Sequence, residues 1–98
     1  MATVLVDAEN VRRSVWPNIP RTELEALCIA WARSNGHDVV VVWETDESAD
    51  DHIAGAVREL PDAWVVTSDR ALRERVERYA KRIVGGGAFA HELVRLRE

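Results

Sequence analysis

Apolar and polar positions along this chain follow two rhythms. Val4-Leu5-Val6 is a short continuous apolar run closed by Asp7, the pattern of a buried strand. A loop around Trp16-Pro17-Asn18 follows. Pro20 then opens a helix in which Thr22 and Glu25 have the spacing of a capping box. Leu24, Leu27, Cys28 and Trp31 recur at i, i+3, i+4 and i+7, one helix face, and Asn35-Gly36 stops it. Val39-Val40-Val41-Val42-Trp43 is β-branched and apolar on both faces, which predicts a strand at the centre of a parallel sheet.

The second half repeats the alternation. Residues 49–60 predict a helix with Ile53, Val57 and Leu60 inward, and 63–67 a third strand. Residues 69–80 predict a helix with Leu72, Val76 and Tyr79 on its apolar face. Arg82-Ile83-Val84 is a short fourth strand, the glycine triplet 85–87 a turn, and 89–96 a last helix. Strands alternating with helices across short loops imply an α/β fold with helices on both faces of a parallel sheet.

Composition narrows this picture. The chain has 98 residues, enough for one core, and reads as a single domain over 1–98 without linker or repeat. No apolar run approaches the length of a membrane span. The first seven residues are too short and too quickly charged for a secretory signal, and the single Cys28 suits a reducing cytoplasm, so a cytoplasmic protein is expected. One cysteine and three scattered histidines exclude the usual zinc spacings. Trp31, Trp43 and Trp64 fall at core positions, and loop Trp16 is expected to fold back over the core rather than stack a base.

The net charge of −4 argues against a purely electrostatic nucleic-acid binder, but charge is unevenly spread. Residues 36–62 carry eight acids against Arg58, whereas 69–82 hold six basic residues against three acids.

In open α/β folds ligands bind beyond the carboxyl ends of the strands, where strand order reverses. Strand 1 ends in Asp7 with Asn10 following, strand 2 in Glu44, and strand 3 in Ser68-Asp69. The next helix opens with Asp50-Asp51. Each has an ordinary reading. Asp69 or Ser68 can cap a helix, Ser48 with Asp51 resembles a capping pair, and Glu44 can be a solvated loop acid. Gathered on one rim, however, three or more carboxylates repel one another unless a proton or cation joins them. Hard oxygen ligands without Cys or paired His favour Mg²⁺ or Mn²⁺, and such an ion lowers the pKa of bound water and neutralises phosphoryl charge.

These residues carry a resemblance. Val4-Leu5-Val6-Asp7 with Asn10, Ala49-Asp50-Asp51-His52-Ile53, and Val65-Val66-Thr67-Ser68-Asp69-Arg70 resemble, in order, the motifs of the NYN/YacP-like branch of the PIN-like nuclease superfamily. The Gly85-Gly86-Gly87-Ala88-Phe89 turn and the 11–18 loop are similar to bacterial members as well, so the resemblance spans nearly the whole chain. It implies a PIN-like three-layer α/β/α sandwich with a small, mainly parallel sheet of about four strands, and a Mg²⁺- or Mn²⁺-dependent ribonuclease. Asp7, Asp50 and Asp69 would be metal ligands, with Asp51 or Glu44 completing the shell, and Asn10 would orient a ligand or the scissile phosphate.

Arg12, Arg13 and Arg70 stand beside these acids and, with Ser68, are candidates for phosphate contacts. The partner would then be RNA, and a homodimer or a larger protein partner would deepen the shallow groove of so small a domain. The rival is a non-catalytic domain of the same fold that binds RNA or protein. A receiver-like phosphoryl-transfer domain fits less well, because the only lysine, Lys81, lies at the far end of its helix from Asp69.

Overall fold

The first apolar run is β1 (Thr3–Asp7), and it forms the middle of the molecule. The structure, a computed structural model, describes residues 1–97. After β1 come α1 (Ala8–Arg13), α2 (Arg21–Asn35), β2 (Asp38–Val42), α3 (Ala49–Glu59), β3 (Trp64–Val66), α4 (Arg70–Val76), β4 (Arg82–Val84) and α5 (Gly86–Leu96). The strands form one parallel sheet in the order β2-β1-β3-β4.

Strand periodicity divides the core. Val4 and Val6 face one side, where Val11 of α1, Leu24, Cys28 and Trp31 of α2, and Phe89 and Leu93 of α5 pack over them. Leu5 faces the other side, against Ile53 and Val57 of α3 and Leu72 and Val76 of α4. The result is the expected α/β/α sandwich. From β1 the chain crosses outward to β2 and then returns past β1 to β3. Strand order thus reverses at β1, and Asp7 ends the strand at that switch point.

Several local expectations are corrected. The valine run forms β2 at the sheet edge, not its centre, and Val40 remains 41% exposed. A run of β-branched residues satisfies strand geometry at an edge as well as inside, so apolarity on both faces did not fix its place. Part of the anticipated 11–18 loop is helical: α1 starts immediately after β1 and buries Ala8 and Val11, one turn apart. Six residues are too few to display a helical period.

The capping box at Thr22 and Glu25 is not made. Pro20 starts α2 without a side-chain cap, and Glu25 instead accepts a hydrogen bond from Trp43 Nε1 at 2.9 Å. Gly36 ends α2 in the left-handed conformation, as expected. Helix α4 stops at Val76, short of residue 80, because the chain must turn to bring Lys81 N–H to Ala63 O and align β4 beside β3. Tyr79 is consequently exposed, with the Arg58 guanidinium 5.1 Å from its ring centre. The glycine triplet is not a free turn: Gly85 caps α5, and Gly86 and Gly87 begin it. Of the tryptophans assigned to the core, Trp31 is buried, while Trp43 and Trp64 are half-buried.

Candidate active site

At the carboxyl ends of β1 and β3 lies an open cleft of about 360 Å³ lined by Asp7, Glu9, Asn10, Arg13, Ser14, Glu44, Asp50 and Asp69. Its floor is Asp7, only 6% exposed. The main chain brings this carboxylate to the end of a central strand. The buried Thr67 then donates its hydroxyl to Asp7 Oδ2 at 2.9 Å. Burial pushes the Asp7 carboxyl above its ordinary range. The Thr67 bond opposes this, and the charges of Asp50 and Asp69 add to the rise.

Thr67 ties two strand-end acids together, for its Oγ1 also accepts from Asp69 N at 3.1 Å. Asp69 caps α4 through Oδ1, which accepts from Leu72 N at 3.0 Å, and it still lines the cleft. The helix-cap and site readings therefore coexist in this residue. They separate at α3, where Ser48 is the cap, accepting from Asp51 N at 3.0 Å. Asp50 is thus not needed to start the helix. It turns into the cleft, where burial, then Asp69 and Glu44, push its carboxyl upward. Glu44 Oε1 accepts from Ala49 N at 3.1 Å, which holds the second strand's acid at the rim.

Asp51 lies outside the cleft. It is exposed and paired with Arg75 at 2.9 Å, and hydrogen bonds from Arg75 and near Ser48 hold its carboxyl below the ordinary range. Of Glu44 and Asp51, the two residues expected to complete a metal shell, Glu44 lines the cleft and Asp51 does not.

Asn10 stands at a junction of three elements. Its Oδ1 accepts from Ser68 N at 2.8 Å, and Ser68 Oγ accepts from Gly86 N at 2.8 Å. A Cβ at Gly86 would collide with Asn10 Oδ1, so glycine is required for the close approach of α5 to the site. Ser68 is therefore a scaffold bond between β3 and α5.

The arginines divide in the same way. Arg12 is mostly buried and structural: Nε donates to Ile19 O at 3.1 Å and Nη1 to Glu9 at 3.2 Å. It does not line the cleft, whereas Arg13 does. Arg70 is exposed at the start of α4, also outside the cleft lining. Glu9 gathers Arg12, Arg13 and Arg21 at 3.2, 3.0 and 2.7 Å, leaving two surplus positive charges beside the carboxylates.

Sequence reading did not single out Glu9, Thr67 or Gly86 as site residues. Thr67 and Gly86 lay within the motifs quoted, but only the fold shows which bonds they make. Trp16 does not fold back: it is 88% exposed in the loop between α1 and α2.

The four-stranded parallel sheet between helical layers has the fold of a PIN-like α/β/α sandwich. The fold is similar to the crystal structure of a point mutant of Rae1 (YacP) from Bacillus subtilis. The TM-score is 0.71 at 17% identity, over 99% of this chain and 77% of that one. No family model and no curated protein matches the sequence.

Proposed function

We propose that this chain is a ribonuclease whose acidic cleft works with Mg²⁺ or Mn²⁺. The observation that carries the reading is the convergence of Asp7, Glu44, Asp50 and Asp69, from four separate places in the sequence, on one cleft. Capping does not explain Asp50, and burial with mutual repulsion raises both Asp7 and Asp50. The fold neighbour also bears the YacP name of the branch that the three motifs resemble.

The donor set suits a hard cation in its chemistry: carboxylates and an amide, with no thiol or imidazole. Among the described residues, no group of three His, Cys, Asp or Glu closes around a single point. Mg²⁺ keeps several waters and takes one or two carboxylates together with substrate phosphates rather than a closed protein cage. An ion held by one or two of Asp7, Asp50 and Asp69, with Glu44 at the rim, would supply a water of lowered pKa and neutralise charge at phosphorus.

The chain's own groups do the positioning. Thr67 fixes the Asp7 carboxylate, and the Ser68 N–H fixes the Asn10 amide at the cleft wall. Arg13, already oriented by Glu9, offers an exposed guanidinium to a phosphate oxygen. The surplus charge of the Glu9–arginine cluster draws the RNA backbone toward an otherwise acidic surface.

Purified protein is expected to cut single-stranded RNA with Mn²⁺ or Mg²⁺ and to stop in EDTA, and Asp7→Asn and Asp69→Asn should each abolish cutting. RNA binding without cleavage in any metal would favour a non-catalytic domain of the same fold. Variants that cut as fast as the parent would place the activity elsewhere.

A further inference from the structure

Trp16 is the one tryptophan left almost wholly in water. Trp31 and Trp43 donate their indole N–H groups to Glu92 and Glu25, and Trp64 lies under the Arg82 guanidinium. An indole at the tip of a loop forgoes the burial available to so large an apolar surface. It also walls a second cavity of about 380 Å³, opposite His91, Val94 and Arg97 near the end of α5. Arg97 is steadied there by Glu23 at 2.9 Å.

This cavity and the acidic cleft share Ser14, whose hydroxyl donates to the backbone carbonyl of Asn10, itself part of the cleft wall. The two cavities therefore adjoin at Ser14.

We infer that the Trp16 cavity is a subsite for one unpaired nucleobase of the RNA whose backbone lies in the acidic cleft. This inference rests on the ribonuclease reading and adds to it a place where one base of the single strand is held. The indole offers a stacking face, which every base can use. His91 and Arg97 offer donors to the base edge or to the adjoining phosphate. A paired base inside a duplex presents no free face, so the subsite selects single strands or splayed-out nucleotides.

The test reads binding directly. In the Asp69→Asn background, which under this reading does not turn over, tryptophan emission is titrated in Mg²⁺ with a single-stranded decaribonucleotide and with a blunt duplex of the same sequence. Trp16→Leu and Trp16→Phe are made in that background, and their melting temperatures are checked against it. The single strand is expected to quench Trp16 emission saturably. Its affinity should fall about 5- to 100-fold in Trp16→Leu and largely survive in Trp16→Phe, with duplex binding little changed.

Equal affinities for Leu and Phe variants, or no change in emission on binding, would overturn the subsite even if the parent enzyme cuts RNA. Failure of the parent to cut RNA, with the quench intact, would overturn the nuclease reading and support the base subsite.

Discussion

Gly86→Ala is a one-carbon perturbation aimed at the hub of the site. The added Cβ would overlap Asn10 Oδ1 and press on Ser14 Oγ and Ser68 Oγ at 3.1 and 3.2 Å. Asn10 cannot swing away freely, because its Oδ1 holds Ser68 N at 2.8 Å. Overpacking of this kind costs about 1–3 kcal/mol. Loss of the Asn10–Ser68 bond adds about 0.5–1.5 kcal/mol. The smaller unfolded-state entropy of alanine returns about 0.4–1 kcal/mol. The net destabilisation is about 2 kcal/mol, and in a domain of this size each kcal/mol moves the midpoint by about 4–8 °C. Thermal unfolding followed by circular dichroism in EDTA should therefore show a fall of about 8–16 °C. Gly87→Ala, one residue on, meets nothing within 4 Å and should melt at or slightly above the parent. RNA cleavage should fall in the first variant and persist in the second. A Gly86→Ala protein that melts with Gly87→Ala would refute the claim that α5 is packed against Asn10.

Thr67→Val keeps the shape but removes the hydroxyl shared by Asp7 and Asp69. It should cost about 1–3 kcal/mol in a urea titration and depress cleavage, because a buried carboxylate loses its donor. The raised carboxyls of Asp7 and Asp50 fix the sign of one pH effect. Both hold protons in the folded state at pH values where the unfolded chain has lost them. Their contribution is therefore gained as pH falls from neutral through the raised values toward the ordinary 3.8, and is lost as pH rises. In EDTA the melting temperature should rise over that interval. Asp50→Asn should flatten the trend, melt a few degrees above the parent at neutral pH, and gain less from Mn²⁺. The arginines should separate by assay. Arg12→Gln should lower the melting temperature by removing bonds to Ile19 and Glu9, whereas Arg13→Gln should reduce the salt slope of RNA binding by up to about one unit.

The sheet and the acids were legible in the sequence for different reasons. Strands β1 and β3 are short apolar runs ended by polar residues, so both their existence and their strand-end acids could be read directly. The edge position of β2 could not, because Val39 to Val42 satisfy strand geometry wherever they sit, and only the crossover path puts β2 outside β1. Helix α1 escaped notice because two buried residues, Ala8 and Val11, do not make a period. At the site, Asp50 and Asp51 are adjacent and chemically identical. What distinguishes them is their angle around α3, which points one to the cleft and the other to Arg75. The roles of Thr67, Glu9 and Gly86 depend on partners 60, 12 and 76 positions away or nearby in space: Asp7, Arg21 and Asn10. Glu9's spacing to Arg12 and Arg13 is local, but no local pattern encodes the contacts of Thr67 with Asp7, of Glu9 with Arg21 or of Gly86 with Asn10. Trp16 was misplaced because loop tryptophans ordinarily find cover, and this one has none.

The central claim is that the carboxylates at the ends of β1 and β3 jointly engage a divalent ion. Crystals of the protein soaked in Mn²⁺ and measured for anomalous scattering address it most directly. The account predicts a peak in the cleft in direct contact with both Asp7 and Asp69, absent from Asp7→Asn crystals soaked alike. Peaks at surface acids such as Asp51, with none in an open and accessible cleft, would contradict it.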